Sequence, residues 1–123
     1  MKTKPLTFLL ALTFLFLFSG SSVVFGDFID DAYKRKDYKT AYKLWLPLAE
    51  QGNAKAQYNL GVMYAKGRGF PQDYILAHMW LNLSGANGYK RGIKLRNLAE
   101  KKMTASQIEK ARELARNWKP TNK

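Results

Sequence analysis

The chain repeats itself. Shifted by 36 residues, Asp37-Tyr38 meets Asp73-Tyr74, Ala41 meets Ala77, Leu44 meets Trp80, and Gly52 meets Gly88. A period of this length belongs to solenoids, in which each unit is a helix pair too small to bury its own apolar face. Stacked units cover one another, and the open face they create commonly binds a partner. The repeat points to a scaffold rather than a catalyst.

Residues 1–26 read differently. Lys2 and Lys4 form a short basic start, and Leu6 to Phe18 runs for 13 residues without a charge. That length suits a signal-peptide core and falls short of the ~20 residues a spanning helix needs. Val24 and Gly26 sit where a signal peptidase would read before a cut at Asp27. The expectation is export to the periplasm or beyond, with an uncleaved membrane anchor as the alternative. Residues 27–120 then form the repeat domain, with a full repeat at about 53–88, and 121–123 are a short tail.

The chain carries 21 Lys/Arg and nine Asp/Glu, for a net charge of +12. From Lys90 onward there are 11 Lys/Arg against Glu100, Glu109 and Glu113, so most of the excess lies in the last third. There is no cysteine. Disulfides and a lipid-modified anchor are therefore excluded, and stability must come from helix packing.

The apolar spacing predicts helices throughout. A short one covers 28–35, and Asp37 caps a second to about Glu50, with Ala41, Leu44, Trp45 and Leu48 inward. Pro47 should kink or shorten it. Asn53 opens a third helix, Ala54 to Lys66, with Ala56, Leu60, Met63 and Tyr64 at core spacing. Gly67 to Gln72 cannot be helical and forms a turn. Asp73 caps a fourth helix with Ala77, Trp80, Leu81 and Ser84 inward, ending at Asn87-Gly88. A fifth takes Lys90 to Lys102 with Leu95, Leu98 and Ala99 inward. Thr104 and Gln107 make a capping box for the last helix, which runs on to Trp118. No segment alternates like a strand, so the expected class is all-α, a short α/α solenoid of about six helices.

The pattern Ala54, Ala56, Leu60, Gly61, Tyr64, Gly67, Gly69, Asp73, Ala77, Trp80 resembles the Sel-1-like repeat, a relative of the tetratricopeptide repeat. Asp37 to Gly52 resembles the second half of a preceding unit. Leu95 to Trp118 is similar to the terminal segment of short, exported bacterial members. Phe70 stands where the family usually has valine, and Gly85 where it usually has alanine. The small residues let helices approach closely, and Tyr64 and Trp80 fill the space between units. Gly67 or Gly69 should take a positive φ. The resemblance implies a protein–protein interaction module and no chemistry.

No catalytic set emerges from the residues. Asp37 and Asp73 are helix caps, and Gly67-Arg68-Gly69 lacks the Gly-Lys-Ser/Thr of a phosphate loop. His78 is the only histidine, and without cysteine beside it no metal or cofactor site is expected; a rim position is its default. Tyr42, Tyr58 and Asn59 are the candidates for facing a protein partner in the groove. Tyr33 and Tyr89, which do not recur, are weaker ones. Lys101, Lys102, Lys110 and Arg112 are the candidates for a patch that meets an anionic membrane surface or an acidic protein, the rival reading. Nucleic acid is disfavoured, because the basic segment contains no recognisable binding motif.

Overall fold

The computed structural model describes residues 29–121, and all regular structure among them is helical. The expected leader, its cleavage site and the last two residues lie outside this range. Helix α1 covers 29–34. It is followed by α2 (Tyr38–Glu50), α3 (Ala54–Lys66), α4 (Tyr74–Ala86), α5 (Lys90–Glu100) and α6 (Ala105–Asn117). Among the described residues, none of the helices is long and apolar enough to cross a membrane.

Side chains set the helix starts. The carboxylates of Asp37 and Asp73 accept from the backbone N–H of Thr40 and Leu76, and the Asn53 side chain accepts from that of Ala56. The Thr104–Gln107 capping box is complete. Gly67 ends α3 in the left-handed region at φ +66, and Gly69 follows at φ +90. Both glycines of the turn thus have the positive φ expected of one. Pro47 neither shortens nor ends α2, which continues to Glu50; its ring faces solvent.

The period is exact from α2 to α4, and α3 and α5 start 36 residues apart, but α1 and α3 do not keep it. Asp37 N–H donates to Ala32 O and Asp73 N–H to Tyr64 O, each at 2.9 Å. Ala32 thus corresponds to Tyr64, 32 residues on, and the turn from α3 to α4 is four residues longer than that from α1 to α2. The longer turn carries Phe70, whose ring packs 4.3 Å from that of Tyr64.

Helix α4 is the hub and packs against α3, α5 and α6. Ala77, Trp80, Leu81 and Ser84 are buried as the spacing predicts, and so are Ala56, Leu60 and Gly61 on α3. On α2 the buried series is Ala41, Trp45 and Ala49, while Leu44 and Leu48 are only half-buried. A β-carbon added at Gly92 would lie 2.7 Å from Leu81 O and 2.9 Å from Gly85 N, so α5 crosses α4 backbone to backbone there. Helix α6 returns over α4, where the Trp118 ring meets that of Trp80 edge-on at 6.4 Å. Beyond it, Thr121 N–H donates to Glu50 O at the end of α2 (2.9 Å).

Three polar side chains are buried: Ser84 as the spacing predicts, and Gln57 and His78, which were not anticipated as core. Gln57 donates to Ala49 O (3.0 Å) and accepts from Asn87 (3.0 Å), and Ser84 donates to Ala54 O (2.8 Å). They tie the two inter-unit turns together. His78, expected on the rim, is fully buried, and its Nε2 pairs with Glu100 of α5 at 2.8 Å. Leu98 corrects the sequence reading in the other direction: expected inward, it is 49 % exposed.

Candidate functional site

The first helices of the successive units, α1, α3 and α5, share one face, and two hollows run along it. The first, about 300 Å³, lies between α1 and α3, lined by Tyr33, Tyr58, Asn59 and Val62 with buried Trp45 behind them. The second, about 290 Å³, lies between α3 and α5, lined by Tyr58, Arg91, Lys94, Leu95 and Leu98. Tyr58 belongs to both. Its ring is held 5.0 Å from that of Tyr89.

The lining follows the helix period. Lys55, Tyr58, Asn59 and Val62 are spaced by three, one and three residues, which places them on one stripe of α3. Arg91, Lys94, Leu95 and Leu98 make the same stripe on α5, each 36 residues further on. The repeat therefore copies the lining positions as well as the core, and the exposure of Leu98 follows from it.

This face is cationic. Lys55, Lys66, Arg68, Arg91 and Lys94 line the hollows, against the single acid Asp30. Among the described residues no carboxylate lies within 4 Å of any of these five cations. Arg68 is held in place by other means. It donates to the Tyr33 hydroxyl, and its guanidinium sits 5.6 and 5.7 Å from the ring centres of Tyr33 and Tyr38.

Tyr58 and Asn59 thus lie in the groove. Tyr42 does not. It points the other way, its ring 4.9 Å from Phe70 and its hydroxyl 3.3 Å from that of Tyr64. The four-residue extension of the turn brings Phe70 against it. Burial, and then the hydrogen bond with Tyr42, push the Tyr64 hydroxyl well above its ordinary pKa. This aromatic group is packing.

The four tail cations are spread out. Lys101 and Lys102 are exposed at the turn after α5. Lys110 lies 3.6 Å from Glu113, and Arg112 lies 3.5 Å from Glu100, while Arg116 lies 3.4 Å from Glu109. Much of the charge on α6 is therefore matched locally.

No group of three or more His, Cys, Asp or Glu that could hold a metal occurs among the described residues. The His78–Glu100 pair joins α5 to α4 and is sealed from solvent on the His78 side. With Nε2–H donating to the carboxylate, buried Nδ1 is left as a bare acceptor. That is a cheaper orphan than an N–H would be.

The Sel1 repeat model matches residues 30–53 and 54–89. The chain belongs to the Sel1 repeat family. Sel1 repeats are helical modules that generally mediate protein–protein contact without catalysis. Comparison with curated proteins and with solved structures gave no match. The two matched Sel1 units are α1 with α2 and α3 with α4; α5 and α6 follow them.

Sequence reasoning missed the α5 half of the groove. The signal was present: shifting the α3 stripe by the repeat period names Arg91, Lys94, Leu95 and Leu98 directly. Treating Leu95 and Leu98 as core hid it.

Proposed function

We propose that this protein is an exported adaptor that holds a partner protein in the groove formed by α1, α3 and α5. The observation that supports it most is the pair of hollows sharing Tyr58. Half-buried tyrosine rings, held by neighbouring aromatics and bordered by exposed polar groups, offer area that loses little side-chain entropy on binding. Export rests on the charge-free run from Leu6 to Phe18 and the small residues before Asp27.

The basic tail makes a weaker surface for an anionic membrane. Lys110 and Arg112 each have a carboxylate neighbour, which leaves Lys101 and Lys102 as the two unmatched cations of the four-residue patch. Isolated exposed charges give little affinity at physiological salt.

Site-directed photo-crosslinking in envelope extract tests this reading. A photo-reactive phenylalanine at position 58 should capture a discrete protein, and one at position 110 should not. Capture from position 110 alone would move the binding face to α6. Intact-mass measurement of the exported chain tests cleavage: a mass that retains residues 1–26 would favour the anchor.

A further inference from the structure

We propose that the groove selects an acidic segment of its partner, one in which carboxylates flank apolar or aromatic side chains. This rests on the groove reading above and adds the chemistry of the occupant. The lining has cations at both ends and an apolar middle. At one end stand Lys55 and, at the equivalent position of the next unit, Arg91, with Lys94 one turn on. At the other stand Lys66 and Arg68. Between them lie Tyr58, Val62, Leu95 and Leu98.

Spacing sets the length of the segment. Lys55 and Lys66 are 11 residues apart on one helix, which is ~16 Å at 1.5 Å per residue. An extended chain covers that in about five residues at ~3.3 Å each. A segment of about five to eight residues with acids at its ends and one or two large apolar side chains between them matches both charge and shape. Arg68 is already fixed by Tyr33 and Tyr38, so its remaining N–H groups are pre-oriented for a carboxylate. The cations face hollows rather than a flat surface, which suits a peptide better than a bilayer.

The test begins with a random-peptide display selection on the immobilised full chain. The peptides recovered should be rich in Asp and Glu around Leu, Phe or Trp. Their affinities are then measured by fluorescence anisotropy, beside counterparts with Asn and Gln in place of the acids. We expect the acidic forms to bind at least ~10-fold more tightly, and the double variant Arg91→Glu/Lys94→Glu to lose at least that factor. Lys101→Glu/Lys102→Glu, outside the groove, should change affinity by less than about twofold. All four positions are exposed, and circular dichroism checks that each variant is folded.

Peptides without acidic bias that still lose binding in Tyr58→Ala would overturn the charge inference and leave the groove standing. Peptides insensitive to Tyr58→Ala and to Arg91→Glu/Lys94→Glu would overturn both. Phosphatidylserine vesicles binding with the same dependence on Arg91 and Lys94, in place of any peptide, would assign the groove to a membrane surface and overturn the proposal.

Discussion

Nε2 of His78 lies 2.8 Å from a carboxylate oxygen of Glu100, with the imidazole wholly inside the protein and Glu100 at its edge. This contact fixes the last turn of α5 against the middle of α4. It therefore helps hold one wall of the groove, since α5 carries Arg91, Lys94, Leu95 and Leu98. A residue expected at the rim turns out to position the proposed binding face from behind.

The contact makes stability depend on acid. The hydrogen bond from His78, helped by the nearby charges of Arg112 and Arg96, lowers the Glu100 carboxyl below its ordinary value, with burial opposing. A folded-state value below the unfolded one means that the stabilisation is complete above the unfolded value of about 4.3. It is lost as pH falls through the folded value. The melting temperature of the wild type should therefore fall more steeply between pH 5 and 3 than that of Glu100→Gln, which can still accept from His78 but has no charge to lose. Parallel pH curves for the two proteins would show that the carboxylate charge contributes nothing.

The two tryptophans of the α4–α6 contact should be energetically coupled. Trp80 is 7 % exposed, and Trp118 meets it edge-on. Trp80→Ala should cost ~3–5 kcal/mol through lost burial and the cavity left behind. At ~4–8 °C per kcal/mol for a domain of this size, that approaches collapse. A double-mutant cycle with Trp118→Ala should return a coupling of ~0.5–1.5 kcal/mol, the range for an aromatic pair beyond its area. Additive losses would mean that α6 covers α4 without its ring contributing specifically.

Much of this was legible in the sequence because the repeat imposes it. Asp37, Asn53, Asp73 and Thr104 cap where their spacing said they would, and Ala56, Gly61 and Ala77 are buried in the helix contacts. Failures came where one side chain's partner lies far along the chain. His78 is read as solvent-facing unless Glu100, 22 residues away, is known to reach it. Leu98 looks like core until it is matched with Val62, 36 residues earlier, on the lining stripe. Tyr42 looks available until the longer turn brings Phe70 against it. Local period fixes which residues share a face, but not which faces remain open once distant helices have packed.

Gly92 should reverse the usual effect of alanine in a helix. At an ordinary interior position, Gly→Ala gains ~1 kcal/mol. Here the new methyl would meet the carbonyl of Leu81, the amide of Gly85 and the β-carbon of Ser84, all closer than 3.0 Å. Two of these are backbone and cannot rotate away. Overpacking of this kind costs ~1–3 kcal/mol, so Gly92→Ala should be less stable than wild type and should lower the urea midpoint. A raised midpoint would show that α5 slides on α4 at little cost.

Tyr58 and Tyr42 separate binding from packing most directly. Both are half-buried tyrosines on helices of the repeat, and the sequence offered both as groove residues. The structure puts Tyr58 between the two hollows and Tyr42 in contact with Phe70 and Tyr64. Tyr42→Ala should remove two aromatic contacts and the hydroxyl pair with Tyr64, at ~2–4 kcal/mol, and leave partner affinity unchanged at temperatures where the variant is folded. Tyr58→Ala loses one ring contact, with Tyr89, and should cost less stability, ~1–2 kcal/mol. Its affinity for a groove peptide should nonetheless fall at least ~10-fold, since a central aromatic anchor is removed. Melting curves and peptide titrations of the two variants check both halves together. Tyr58→Ala that melts early yet binds as wild type would return Tyr58 to the core and leave the groove without its central residue.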